Sequence, residues 1–221
     1  MISVCLPTRG RPESFKKMCL SMLETSSDPD DIEFVSYHDK DDESKYEYVG
    51  NHKEVIGDRL YNYSQMWNEC QKVAEGPLYL YQADDIFFET KGWDVKVKQV
   101  FESYEDKIVF VCFNDHRHHS NDACIFCVHK NWVDTLGYLT PPYFSSHLPD
   151  NWVNDIAKGV GRRVRLGDVF IRHHWISDDE THISYVKRRA DDPPWEIYNK
   201  TKRERKRDIQ KLKDFIKNYG S

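Results

Sequence analysis

The apolar positions of this chain change period as it runs, and the changes mark out its elements. Residues 2–6 (ISVCL) read as a first strand, followed by the polar loop PTRGRP. Phe15, Met18, Cys19, Met22 and Leu23 then recur at helical spacing, which predicts a helix over 13–24 with one buried face. Residues 32–37 predict a second strand, ending in the acidic loop HDKDDES. Leu60, Tyr63, Trp67, Cys70 and Ala74 mark another helix, stopped by Gly76-Pro77. The strand LYLY (78–81) comes next, and Trp93, Val97, Val100, Phe101 and Tyr104 give a further helix. Residues 108–113 and 124–128 predict strands on either side of the polar loop NDHRHHSND (114–122). Trp152, Val153, Ile156, Ala157 and Val160 form a helical stripe, and 164–172 predicts a late strand running into His173-His174-Trp175. Pro193-Pro194 breaks the chain before an amphipathic tail helix marked by Ile209, Leu212 and Ile216. Strands alternating with helices predict an α/β domain with a largely parallel sheet. Ligands of such sheets bind beyond the carboxyl ends of the strands, so PTRGRP, HDKDDES and the QADD that follows LYLY should face one crevice.

Composition narrows the class. The 221 residues are 39% hydrophobic and 14% aromatic, enough for a real core in one domain, or one domain with a tail. No run approaches the roughly 18–20 apolar residues of a membrane span, and MISVCLPTRGRP lacks the apolar core of a signal peptide. The expectation is therefore a soluble, cytoplasmic protein without membrane association. Six cysteines sit mostly inside apolar segments, and Cys124-x-x-Cys127 lies in a predicted strand with no second such pair, which favours core thiols over a zinc site. The net charge of −5 is uneven: residues 187–217 carry 12 Lys/Arg against 6 Asp/Glu, leaving 20 against 31 elsewhere. A basic tail on an acidic body suits an anionic partner, though a solvated helix face explains it too.

The chemistry centres on Asp84-Asp85 in LYLYQADDIFF. Two adjacent carboxylates repel and resist burial unless something positive pairs with them. At a strand end they suit a hard divalent cation, Mg²⁺ or Mn²⁺, and equally an ordinary turn after an edge strand. Thr8, Arg9, Gly10 and Arg11 lie between strand and helix, where guanidinium groups and a helix N-terminus attract phosphate. Asp39 could accept hydrogen bonds from a base or ribose. Arg59, at the predicted start of the second helix, could reach a diphosphate, or only cap or salt-bridge. A diphosphate, a divalent metal and basic side chains make one consistent site.

These motifs carry a resemblance. ISVCLPTRGRP, the acidic end of the second strand, and QADDIFF ahead of Gly92-Trp93-Asp94 resemble the GT-A glycosyltransferases, in particular the family 2-like group with its short phage and bacterial members. The likeness runs from Ile2 to about Trp175. It implies a single GT-A (Rossmann-like) domain over 1–177, with a mostly parallel mixed sheet flanked by helices. Its nucleotide-sugar half would run to about residue 90 and its acceptor half from 91 to 177, with a basic helical extension over 178–221. The Asp pair resembles that fold's metal motif in an xDD form, with Ala83 where a first Asp often stands. On this mapping Asp85 binds the metal, and Asp84 touches the donor ribose or metal-bound water. Asp39 reads the base, while Pro7, Thr8, Arg9, Arg11 and Arg59 line the nucleotide site. Gly137-Tyr138-Leu139 and PPYFSSHLPDNWVNDIA resemble the acceptor-side loop and the acidic helix start that supplies a catalytic carboxylate. Asp150 matches best, placed as an N-cap would be, with Asp155 second. A His at the last strand end often adds a metal ligand, which suits Mn²⁺ better than Mg²⁺. Neighbours on an extended chain point to opposite faces, so one of His173 and His174 would serve, and His173 is favoured.

The implied activity is metal-dependent transfer of a sugar, of hexosyltransferase type, from a nucleotide-diphosphate donor, UDP-linked by expectation, to an acceptor hydroxyl. NDHRHHSND and the aromatics of 138–144 would line the acceptor side. The basic tail, with Trp195 and Tyr198 nearby, admits a nucleic-acid acceptor such as a modified base in DNA. Two other classes stay open. A nucleotidyltransferase would need a Gly-rich loop with a Lys near the first strand, where this chain has one Gly and two Arg. A non-catalytic nucleic-acid-binding module would keep the acidic site as a vestige.

Overall fold

A computed structural model describes residues 1–60, 62–116, 123–176 and 178–220. The elements run β1 (Ile2–Thr8), α1 (Pro12–Thr25), β2 (Ile32–Asp39), β3 (Asn51–Gly57), α2 (Ser64–Val73), β4 (Leu78–Tyr81), β5 (Ile86–Phe88) and α3 (Trp93–Glu102). They continue with β6 (Phe110–Asn114), β7 (Phe126–His129), α4 (Lys130–Leu136), α5 (Pro149–Val160), β8 (Arg163–His173), α6 (Glu180–Asp191), α7 (Pro194–Lys200) and α8 (Lys202–Asn218). The strands form one mixed eight-stranded sheet ordered β3-β2-β1-β4-β7-β6-β8-β5. Its first four strands are mutually parallel, β7 runs antiparallel to both β4 and β6, β8 is parallel to β6, and β5 returns antiparallel to β8. The expected α/β class with a mixed, helix-flanked sheet is the fold observed.

Every residue of β1 and β2 is buried, as strands covered on both faces must be. The two-residue period of β1 splits the core into two layers. Ile2, Val4 and Leu6 pack with Phe15 and Met18 of α1 and Trp93 and Val97 of α3. Cys5 faces the other layer, where Trp67, Phe126, Trp132 and Trp152 meet Leu212 of α8. The tail helix thus completes the core: Leu212 is fully buried, and a Cβ added at Gly159 of α5 would meet Ile209 at 2.5 Å. No helix among the described residues is long and apolar enough to cross a membrane. Five cysteines are buried, Cys127 among them, and Cys124 is partly so.

The pattern of the chain missed five elements: β3, β5, α4, α6 and the seven-residue α7 after Pro193. β3 is a polar edge strand, NHKEVIG, whose exposure leaves no apolar run to read. β5 is three residues long, α4 only seven, and α6 has no buried residue to impose a hydrophobic stripe. The second helix starts at Ser64, so Arg59 lies in the loop before it rather than at its first turn.

One buried charge ties the sheet edge together. Glu33 of β2, its side chain wholly buried, accepts from Ser3 Oγ at 2.6 Å and the Glu75 amide at 3.0 Å, and pairs with Lys53 Nζ of β3 at 2.8 Å. Burial alone would raise this carboxyl; Lys53, Ser3 and the Glu75 amide outweigh it, and the pKa lies below the ordinary value of 4.5. Glu33→Ala strands these donors and should cost about 2–4 kcal/mol in denaturant unfolding at neutral pH. A group with a lowered folded pKa contributes stability above its unfolded pKa and loses it as pH falls through the folded value. The deficit of the variant should therefore shrink in acid below about pH 4.

Candidate active site

The carboxyl ends of β1, β2 and β4 meet at one cavity of about 230 Å³, lined by Pro7, Thr8, Arg9, Arg11, Asp39, Arg59, Asp84, Asp85, Asp150 and His173. All ten expected site residues therefore line one cavity, from six separate stretches of chain.

β1 delivers Thr8 with its hydroxyl donating to Asp84 Oδ2 at 2.8 Å. Arg11, just before α1, donates from Nη1 to Asp84 Oδ1 at 3.2 Å and stands 3.8 Å from Asp85 Oδ2. Burial pushes the Asp84 carboxyl up to about 6; Arg11 pulls it down, Asp85 pushes it up, and Thr8 adds a smaller downward pull. The adjacent carboxylates are thus separated by environment: Asp84 is bonded into the β1 loop, while Asp85 turns toward β8. There His173 Nε2 lies 3.3 Å from Asp85 Oδ2. The His174 amide donates to the Asp85 carbonyl at 2.7 Å, and its ring packs near Phe87 instead.

Asp39 closes β2. Its Oδ2 accepts from Arg9 Nη1 at 3.2 Å, with Arg59 Nε 3.9 Å away, while its Oδ1 is buried without a hydrogen-bond partner. Burial raises its pKa against the opposing pull of Arg9 and Arg59. An unpaired buried carboxylate oxygen is costly, and on a residue that lines a cavity a ligand N–H or O–H would relieve it.

Asp150 departs from expectation in one respect. The N-cap of α5 is Leu148, and Asp150 sits within the first turn after Pro149. Leu148 holds a left-handed φ of +81°, a strained state for a branched side chain, and that turn aims Asp150 into the cavity. Its charge raises the Tyr185 hydroxyl, behind burial and Tyr63 in order of effect. Asp155 is committed elsewhere: it accepts from the Tyr198 hydroxyl of α7 and does not line the cavity. Beside Asp150, Ser145 and Ser146 line the cavity with buried hydroxyls lacking partners. Of the polar acceptor loop, residues 117–122 lie outside the described residues.

The unforeseen contributor is α6. Asp179, its N-cap, accepts from the His182 amide and grips Arg11 through two hydrogen bonds, one of 2.9 Å to Nη2. Thr181 donates to the Arg9 carbonyl at 2.8 Å, Arg59 Nη2 donates to Ser184 Oγ at 2.7 Å, and Arg188 donates to the Leu60 carbonyl at 3.2 Å. Tyr185 reaches His147, whose pKa burial and Arg189 lower to about 4. The sequence signal was present but faint: an Asp N-cap opening a helix after a strand end.

Among the described residues no three His, Cys, Asp or Glu side chains gather as a metal-binding group. Asp85 and His173 are a pair. Two ligands about 2.1 Å from a cation and at right angles stand about 3 Å apart, close to the 3.3 Å between these atoms. One carboxylate and one imidazole would suit Mn²⁺.

No family model and no curated protein matches the chain. Solved structures do. The mannosyltransferase PcManGT from Pyrobaculum calidifontis, in complex with GDP-Man and Mn²⁺, aligns with a TM-score of 0.65 at 13% identity, over 97% of this chain and 69% of that one. Staphylococcus aureus TarS 1-349 in complex with UDP-GlcNAc aligns at 0.62 and 12% identity, over 84% and 64%. The fold is a GT-A-like glycosyltransferase fold. The catalytic domain of Drosophila β1,4-galactosyltransferase 7, in complex with xylobiose, is similar at 0.51 and 9% identity, over 74% and 63%. The chain spans 37% to 64% of the length of the TarS structures it matches. In this GT-A-like frame the acidic crevice lies where the parallel strands β1, β2 and β4 end.

Proposed function

We propose that this protein is a metal-dependent glycosyltransferase of hexosyltransferase type. It would move a sugar from a nucleotide-diphosphate donor, UDP-linked by preference, to an acceptor hydroxyl. The observation that carries the reading is that Asp39, with one buried oxygen unpaired, lines the same cavity as Arg9, Arg11 and the Asp85–His173 pair. Asp39 takes the base or ribose, with Pro7 and Thr8 walling the nucleotide. Asp84 would contact the donor ribose or metal-bound water. Asp85 and His173 hold Mn²⁺ (or Mg²⁺), which when bound neutralises the departing diphosphate. Arg9, Arg11 and Arg59 supply the remaining positive charge. Asp150 takes the acceptor proton in an inverting reaction.

Isothermal calorimetry tests this with UDP titrated in the presence and absence of Mn²⁺. Metal-dependent binding is expected; failure of UDP and GDP to bind with either Mn²⁺ or Mg²⁺ would remove the donor site. Arg11 also permits a sharper test. Arg11→Ala should weaken UDP binding by about 2 kcal/mol, roughly thirtyfold, and Arg11→Lys should not fully restore it, because an ammonium cannot keep the fork on Asp179 and still present a donor to the cavity. Unchanged affinity in Arg11→Ala would confine Arg11 to holding α6.

A further inference from the structure

The tail helix segregates its charges in a way that helix solvation does not require. α8 spans 17 residues, and its apolar side is spent on the core: Leu212 is fully buried, and Ile209, Phe215 and Ile216 pack against it. Two of its acids turn the same way. Asp208 is buried and accepts from the Tyr138 hydroxyl, and Glu204 is half-buried. The outer side carries Lys202, Arg203, Lys206, Arg207, Lys213 and Lys217, all exposed. Among the described residues none of these six has a carboxylate within ion-pair distance, whereas Lys200 and Lys211 do. Asp214, bonded to Gln210, is the single exposed acid on the helix. Like charges three and four residues apart destabilise a helix, so this row is unfavourable without an external counter-charge. An open groove where α7 meets α8 is lined by Asn199, Lys200, Lys202, Arg203, Glu204 and Lys206, and Trp195 of α7 is exposed nearby in sequence.

We propose that the outer face of α8, with the α7–α8 groove, binds a nucleic-acid strand through its phosphates. Charge complementarity selects this occupant. From Lys202 to Lys217 the helix rises about 22 Å, and phosphates repeat every ~3.4 Å along one strand, so about six phosphates run beside the six cations. A basic row is also drawn to an anionic bilayer surface, but insertion into the interface needs an exposed apolar face, and that of α8 is already buried in the core. The exposed Trp195 ring suits stacking by an unpaired base. The surface deepens the glycosyltransferase reading by naming its acceptor class, yet binding here does not depend on sugar transfer.

The test is fluorescence anisotropy with a labelled single-stranded DNA oligonucleotide on the full chain, with duplex DNA, poly-glutamate and phosphatidylserine vesicles as comparison arms. Binding to DNA should weaken at least about tenfold between 50 and 200 mM salt. The triple variant Lys206→Glu, Arg207→Glu, Lys213→Glu should lose at least about tenfold in DNA affinity while its Mn²⁺-dependent UDP binding and circular dichroism match the wild type. That combination supports the surface and separates it from the donor site. No DNA binding at 50 mM salt, poly-glutamate binding as tightly as DNA, vesicle binding without DNA binding, or full DNA affinity in the folded triple variant would each overturn it. Should the wild type bind DNA but not UDP, the surface stands and the donor reading falls.

Discussion

Asp85→Ala is expected to abolish metal-dependent release of nucleoside diphosphate from a nucleotide sugar, by about a thousandfold or more in kcat/KM. The size follows from how few alternatives the cavity holds. Asp84 is the nearest carboxylate, but its oxygens are taken by Thr8 and Arg11, and burial holds its pKa near 6. It cannot replace Asp85 without dismantling the loop after β1. His173 alone leaves one protein ligand beside the diphosphate. Folding should survive, because the backbone carbonyl of Asp85, not its side chain, carries the hydrogen bond from the His174 amide. The check is a Mn²⁺ titration of product release for wild type and variant side by side; near-normal turnover at ordinary Mn²⁺ would sink the metal assignment.

Asp150→Asn should lower kcat by about 10²–10⁴ and leave UDP affinity within about twofold. An amide keeps the shape of the side chain in the first turn of α5 but cannot take a proton from the acceptor hydroxyl. Because Asp150 comes from α5 and not from the loop after β1, a loss confined to kcat separates base chemistry from donor binding. Asp155→Asn is the matched control: its partner is Tyr198 of α7, so it should change stability more than turnover. A drop of less than tenfold in Asp150→Asn would remove Asp150 as the proton acceptor.

The parts of the site that could be read from the chain are those that repetition or burial made conspicuous. LYLY leads within two residues to a pair of carboxylates that no strand interior would keep, β1 runs into Arg9 and β2 ends on Asp39, so topology alone sends all three loops to one crevice. What escaped reading was held by polar contacts. α6 buries no residue of its own, and its place is set by Asp179 on Arg11 and Thr181 on the Arg9 carbonyl. Such contacts join residues about 170 positions apart and leave no periodic trace in sequence. The placement of Asp150 as a cap failed for a local reason: Leu148 adopts φ +81°, which a leucine seldom does, and shifts the helix start two residues upstream. The unpaired hydroxyls of Ser145 and Ser146 belong to the same lesson, since a serine pair in a loop acquires meaning only when its burial is known.

The most direct test of the central claim needs no acceptor. Purified protein is incubated with a panel of UDP- and GDP-sugars and Mn²⁺, and slow release of nucleoside diphosphate is followed with and without chelator. The account predicts chelator-sensitive release from at least one donor by the wild type. It is contradicted if folded protein neither binds nor hydrolyses any member of the panel with Mn²⁺ or Mg²⁺.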